Sequence, residues 1–402
     1  MKYEFSKNVN LMKPSEIREL NKMASTPGLI SLGGGMPSPE SFPVEELKDI
    51  MNYVMDNESG LALQYGNTLG NLNARREISN LLLRTEKFQS ELENIIVNSG
   101  SQQGLYELAS VLANPGDTVI TEEPTYVGAV SAFSANGLRM EGVPVDENGM
   151  KVELVEDLIH RLNSEGKPPR FIYTIPTFQN PTGYTMPLDR RKHLLEISKT
   201  YEIPLIEDNP YGQLRYYGDA VKPIRSMNGG EDVIYLGTFS KVMTPGLRMG
   251  YTVAPTEVME KFNLIKQALD LASNSFSQSV AAEYIKRGVI YKQIEINKKI
   301  YRVKRDAMVN ALDEYMGEVA EFSRPEGGMF VWTTLHDQID TRKMIASAIK
   351  NGVAYVSGQA FTTNGTQKRS MRLNFTFSTV DNLKEGIRRI KKTVDEIAAK
   401  AE

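Results

Sequence analysis

The stretch GTFSKVMTPGLRMG, residues 237–250, follows the β-branched and aromatic run VIYL and sets Lys241 directly after Ser240, with Thr238 three positions back and Arg248 seven positions on. A lysine at the end of a buried strand is costly as a bare cation. It must pair with a carboxylate, give up its proton or react. Pairing with Asp208 would suffice for an isolated lysine and aspartate, but it leaves the glycines, the hydroxyls and Arg248 without a role. Reaction with an aldehyde removes the charge as a Schiff base.

Working outward, TVITEEPTY, RFIYTIPTFQNP, IPLIEDNPY and VIYLGTFSK are short apolar or β-branched runs that each close on polar and turn residues. Between the second and third lies PLDRRKHLLEISKTYE, where Leu188, Leu194, Leu195 and Ile197 form the apolar stripe of a helix. The pattern predicts an α/β chain, a mostly parallel sheet with crossover helices. Ligands of such sheets sit at the carboxyl ends of the strands, which is where Tyr126, Asn180, Asp208, Tyr211 and Lys241 fall. Two long helical patterns follow, about 256–287 and 291–316. GGMFVWTTL, VAYVSGQAF, RSMRLNFTF and the amphipathic tail VDNLKEGIRRIKKTVDEIAAK then read as a smaller α+β unit. The expected division is 1–45 as an arm packing with that unit, 46–290 as the large domain and 291–402 as the small one.

Composition narrows the function. Net charge is −3 over 47 basic and 50 acidic residues, so nothing favours nucleic acid. Cysteine is absent, which excludes disulfides, thiolate nucleophiles and cysteine metal sites. His160, His193 and His336 lack metal-ligand spacing, and no Gly-x-Ser-x-Gly elbow accompanies them, so no metal is expected. No uninterrupted apolar run reaches the length of a membrane span and the amino terminus does not read as a signal peptide, so the expected location is the cytoplasm.

Four polar clusters end strand patterns: GSQQG (100–104), QNPTG (179–183), EDNPY (207–211) and TFSK (238–241). Each alone reads as a cap or a turn. If the aldehyde is pyridoxal phosphate, each has a task. Arg248, Thr238, Ser240 and the helix start at Ser101 and Gln102 would hold the phosphate. Asp208 would keep the pyridine nitrogen protonated. Asn180 and Tyr211 would donate to the ring oxygen, and Tyr126 would lie against the ring. In MRLNFTF, Arg372 and Asn374 point opposite to Met371, Leu373, Phe375 and Phe377, which frees Arg372 to meet a substrate carboxylate.

With those residues in view the sequence resembles the fold type I pyridoxal-phosphate aminotransferases of class I/II, above all the 2-aminoadipate/kynurenine and multi-substrate aromatic or branched-chain group. The resemblance runs from ISLGGGMPSPESFP (30–43) through LQYGNTLGNLNARREIS (63–79) to MRLNFTF, with NPTG, D-x-x-Y, S-K and the arginine seven residues later in order. It implies a large domain with a mostly parallel seven-stranded sheet, and Lys241 as the covalent anchor. It implies a homodimer in which Tyr65 reaches the neighbouring subunit's phosphate, and Gly34 lining the substrate pocket. Thr238 stands where this subgroup often has serine, and the hydroxyl is kept. Arg18, in PSEIREL, resembles a lid-helix residue that meets acidic side chains, though it also suits a solvated helix beside Glu16 and Glu19.

The expected reaction is a ping-pong transfer from an L-amino acid (2-aminoadipate, aromatic, branched-chain or glutamate) to a 2-oxo acid, 2-oxoglutarate by family habit. The same cofactor machinery supports β-elimination of cysteine conjugates. An aminotransferase-like module can also serve as the effector domain of a transcription regulator, but the chain begins at the lid helix and shows no basic patch. A nicotinamide enzyme is disfavoured because GGGMPS lacks Gly-x-Gly-x-x-Gly spacing.

Overall fold

The computed structural model describes residues 1–12 and 26–400. In chain order β1 is Ile30–Ser31, β2 Ile95–Asn98, β3 Thr118–Glu123, β4 Arg139–Asp146, β5 Gly149–Met150, β6 Pro169–Thr174, β7 Leu205–Asp208, β8 Ile234–Thr238 and β9 Gly250–Val253. The larger sheet has the order β2-β9-β8-β7-β6-β3-β4-β5. Strands β8, β7, β6, β3 and β4 are parallel. Strand β9 runs antiparallel between β2 and β8, and β5 folds back on β4. The expected seven strands are therefore joined by an eighth, the two-residue β5. Strands such as β2 (IIVN) and β7 (LIED) are buried along their whole length. Helices cover both faces of such a sheet, which is why these runs do not alternate with polar residues.

The helix Leu188–Thr200 lies between β6 and β7, as its stripe requires. The pattern at 256–287 is instead two helices, Thr256–Leu269 and Ser275–Lys286. Leu271 takes φ +65, and Asn274 caps the second helix by accepting from the Ser277 amide at 2.7 Å. Periodicity hid the break because the second helix is buried at every position from Ser277 to Ile285 and so shows no stripe of its own, whereas the cap is local chemistry.

A second, antiparallel sheet runs β10 (Ala320–Phe322), β11 (Phe330–Leu335), β14 (Ser370–Asn374), β13 (Val356–Ser357). Strand β12 (Val353–Ala354) pairs with β1 in parallel. The helix Val380–Ala398 buries Leu383, Ile387, Ile390 and Val394 at i, i+4, i+7 and i+11, each contributing about 2 kcal/mol of apolar burial. The segment after β1 crosses from this sheet to the end of β8. Leu32 bonds Ala354 and Asn374 on the way, and the glycines 33–35 follow. Among the described residues no helix is long and apolar enough to cross a membrane.

Because β9 is antiparallel, its first residue lies at the carboxyl edge of the sheet. Gly250 there faces Asn98 on β2 and Thr238 on β8. A Cβ on it would lie 2.7 Å from the Ser101 nitrogen and 2.8 Å from the Gly100 carbonyl carbon, backbone atoms that cannot rotate aside. Gly250→Ala is therefore expected to displace the turn at 100–101 and to cost about 1–3 kcal/mol. Thermal or urea unfolding checks this, and an unchanged midpoint would mean that the turn yields freely.

Candidate active site

The carboxyl edge of the larger sheet opens into a cavity of about 1150 Å³ whose walls include Ser101, Gln102, Tyr126, Asn180, Asp208, Tyr211, Thr238, Ser240, Lys241, Arg248 and Arg372. Eleven of the fourteen residues singled out from sequence thus meet in one place.

At one end β2 turns through Ser99 and Gly100 into the helix Ser101–Leu112, which no side chain caps. Its first amides and the positive end of its dipole favour an anion. Gly100 has φ +78, and a Cβ on it would fall 2.4 Å from Arg248 Nη2. Glycine is needed there both for the backbone and for the approach of the guanidinium. Arg248, itself at φ +53 after the turn Pro245–Leu247, donates from Nη2 to the Ser99 carbonyl at 3.2 Å. The Thr238 hydroxyl donates to Ser240 Oγ at 3.1 Å and accepts from the Ser240 amide.

At the other end stands Asp208, the last residue of β7 and 1% exposed. Its Oδ2 accepts from the Tyr173 hydroxyl at 2.8 Å, while Oδ1 has no partner. Burial pushes the carboxyl up to about 7, against the pull of Tyr173. An orphaned buried carboxylate oxygen at a cavity wall calls for a cationic N–H donor.

Between them, Lys241 Nζ donates to the Gly35 carbonyl at 2.8 Å; its partner is this carbonyl and not Asp208. Burial first, and then the charges of Arg372 and Arg248, bring its amine down to about 8. Two other lysines are more deeply buried, and both are engaged. Lys266 pairs with Asp270 at 3.0 Å. Lys304 donates to Ser38 Oγ and the Thr376 carbonyl. Asn180 donates from Nδ2 to the Tyr211 hydroxyl at 3.2 Å and accepts from Arg372 Nη1 at 2.9 Å. Arg372 is 1% exposed, so both faces of β14 are buried and the alternation read from MRLNFTF separates two interiors.

Several supporting residues carried no signal in the sequence beyond being polar amid apolar runs. Glu122 accepts from Thr174, the Ile175 amide and Gln179. Gln179 in turn accepts from the Thr182 amide and hydroxyl, which fixes the turn carrying Asn180. Arg191, fully buried, donates to the Met186 and Pro176 carbonyls and to Thr177 on the same loop. Tyr173, which donates to Asp208, is a further such residue.

Tyr126, at the cavity wall, precedes the helix Val127–Ala135, its hydroxyl 3.5 Å from Gln102 Oε1. Two of the three remaining expectations are not walls of this cavity. Tyr65 is 86% exposed and is not a wall of this cavity. Gly34 is buried, and its neighbours Gly35 and Met36 form the wall. Arg18 lies outside the described residues.

Comparison with known proteins settles the family. The family model described as aminotransferase class I and II matches residues 28–390. The chain belongs to that family. It is 43% identical to aromatic-amino-acid aminotransferase 1 of Thermococcus litoralis, over 98% of this chain and 94% of that one. It is 34% identical to the 2-aminoadipate transaminase of Thermus thermophilus, over 98% and 97%. Its fold superposes with a TM-score of 0.93 on the Pyrococcus horikoshii kynurenine aminotransferase solved with PMP and KYN as substrates and KYA as product, at 44% identity over 98% and 97% of the two chains. The protein is accordingly an aminotransferase that acts on amino acids, and its cofactor is pyridoxal phosphate.

This aminotransferase's cavity suits that cofactor. The uncapped helix end, two hydroxyls and Arg248 suit a phosphate. The orphaned Asp208 oxygen suits a pyridinium N–H, and an amine near neutrality suits an aldehyde.

The Asp208 carboxyl has a sign that can be tested in the cofactor-free protein. Its folded value lies above the ordinary one, so it is neutral in folded and unfolded chains below about pH 4, and burying the charge lowers stability progressively from there to about pH 7. Asp208→Asn stays neutral throughout. Its melting temperature is expected to gain on wild type as pH rises across that window. A gap that stays constant would contradict the assignment.

Proposed function

We propose that Lys241 is the amine that anchors the cofactor and later moves the substrate's Cα proton, that Asp208 holds the pyridine nitrogen, and that Asn180 and Tyr211 donate to the ring oxygen. Ser101, Gln102, Thr238, Ser240 and Arg248 take the phosphate, Tyr126 lies against the ring, and Arg372 grips the substrate's α-carboxylate. When bound, pyridoxal phosphate supplies an aldehyde for covalent attachment and a protonated ring that accepts the electrons left when Cα loses its proton.

The observation that carries this reading is the pairing of an amine brought down to about 8 with a partnerless carboxylate oxygen in one cavity. Near neutral pH a useful fraction of Lys241 is unprotonated, which fits both nucleophile and general base. Its neighbours Arg372 and Arg248 repel the ammonium and so favour the free amine. Tyr211, buried and edge-on to Phe330 at 5.8 Å, is held rigidly enough to orient its hydroxyl.

The amino donor is an L-amino acid, and the acceptor is a 2-oxo acid, 2-oxoglutarate in this proposal. Val9, Met12, Met36, Val127, Leu269 and Phe330 give the cavity an apolar wall that supports aromatic and branched-chain donors. Acidic donors, 2-aminoadipate and glutamate, would draw on Arg18. The working unit is a homodimer. Tyr65, with Leu61, Leu63 and Leu72 nearby in sequence, is exposed on the surface, an apolar set that a second copy would cover. The proposed role of Tyr65 of the partner subunit is to reach the phosphate.

Absorbance of the cofactor-loaded protein, recorded as 2-aminoadipate, tyrosine, leucine or glutamate is added singly, tests the proposal. The yellow band should give way to that of the pyridoxamine form with at least one donor and return on adding 2-oxoglutarate. Lys241→Ala should show no turnover. Release of pyruvate and ammonia from a cysteine conjugate, with a yellow band unmoved by all four donors, would replace transfer by elimination.

A further inference from the structure

Arg372 is a buried cation without a charged partner in its hydrogen bonds. Its acceptors are neutral: Asn180 Oδ1 at 2.9 Å, the Gly33 carbonyl at 2.8 Å and the Gly34 carbonyl at 3.5 Å. Its Nε has no acceptor at all. Burial lowers its guanidinium to about 10. What offsets the lost hydration is a pair of aromatic rings. The guanidinium carbon is 4.1 Å from the centre of the Phe330 ring and 4.8 Å from that of Phe361.

The two rings differ in position. Phe330 lines the cavity, whereas Phe361 is fully buried and is not one of its walls. Phe361 ends the short turn Gly358–Phe361 ahead of β14. Its ring meets Trp332 edge-on at 5.9 Å, and its carbonyl accepts from the Thr125 amide at 2.8 Å. It is therefore fixed from both sides, by the second sheet and by the end of β3 next to Tyr126.

A carboxylate in the place of either ring would neutralise Arg372 and occupy its N–H fork. A ring face stabilises the cation without using a single N–H, so both the charge and the donors remain for a ligand. We propose that Phe361, together with Phe330, clamps the Arg372 guanidinium between two ring faces and thereby sets the enzyme's preference for ligands that carry an α-carboxylate. Phe361 is a positioning residue, acting only through Arg372. The inference rests on the reading of Arg372 as the residue that takes the substrate carboxylate.

The test is isothermal titration of the holoenzyme with 4-methylpentanoate, 3-(4-hydroxyphenyl)propanoate and hexanedioate, the leucine, tyrosine and 2-aminoadipate skeletons without the amino group. The tightest of the three is carried forward with its counterpart amine that lacks the carboxylate. Phe361→Leu keeps the bulk and removes the ring face. It is expected to raise the carboxylate's Kd by about five- to tenfold, the loss of one desolvated cation–π contact, with the amine unchanged. Phe361→Tyr should remain within about twofold of wild type for both. If Phe361→Leu does not fold, Phe361→Met carries the same expectation.

A leucine or methionine variant within about twofold of wild type for the carboxylate would overturn the clamp, and so would equal weakening of carboxylate and amine. Arg372→Gln separates the two levels. If it abolishes carboxylate binding while the Phe361 variants do not weaken it, the clamp alone falls. If it leaves carboxylate binding intact, the reading of Arg372 falls and the clamp with it.

Discussion

The constraint on which this site depends is the burial of two cations, Lys241 and Arg372, beside a carboxylate that pairs with neither. An ordinary protein interior would neutralise such charges in ion pairs, as it does for Lys266 with Asp270. Here the fold keeps them apart. Asp208 sits at the end of β7 with one oxygen on Tyr173, Lys241 is drawn to the Gly35 carbonyl, and Arg372 lies against the rings of Phe330 and Phe361. Desolvation then acts in opposite directions on the groups, raising the acid and lowering the amine, so that both titrate near neutral pH.

Backbone groups do much of the separating. Consecutive carbonyls of the glycine segment 33–35 face the two cations, Gly33 and Gly34 toward Arg372 and Gly35 toward Lys241. The segment is held by β1, whose neighbour Leu32 bonds both Ala354 and Asn374. Loop 176–186 is braced from below by Glu122 and Arg191, so Asn180 can serve Tyr211 and Arg372 at once. A site built of neutral acceptors, ring faces and dipoles retains its charge for ligands, which is the property electrostatic catalysis requires.

The sequence was most legible where chemistry coincides with strand ends. Lys241, Asp208 and Asn180 each come at the end of a buried run and carry a residue type that is costly there, and Arg248 follows Lys241 at a fixed spacing, so their convergence could be read without coordinates. Gly250, Tyr173, Gln179 and Phe361 were not legible. Their roles arise from antiparallel insertion, from a hydroxyl meeting a carboxylate 35 residues away, and from a ring packed on a guanidinium. None of these leaves a periodic trace. The break at Leu271 left no trace for a related reason, since a helix buried on all sides carries no stripe for a capped turn to interrupt. Tyr65 is exposed, and the role proposed for it requires a second copy of the chain.

The most direct test of the central claim is to load the protein with pyridoxal phosphate, reduce it with borohydride and map the pyridoxyl label by peptide mass spectrometry. The account predicts a single label on Lys241, the lysine whose amine burial and neighbouring cations keep near neutrality without a carboxylate. A label on Lys266, Lys304 or a surface lysine, with Lys241 unmodified, would contradict it.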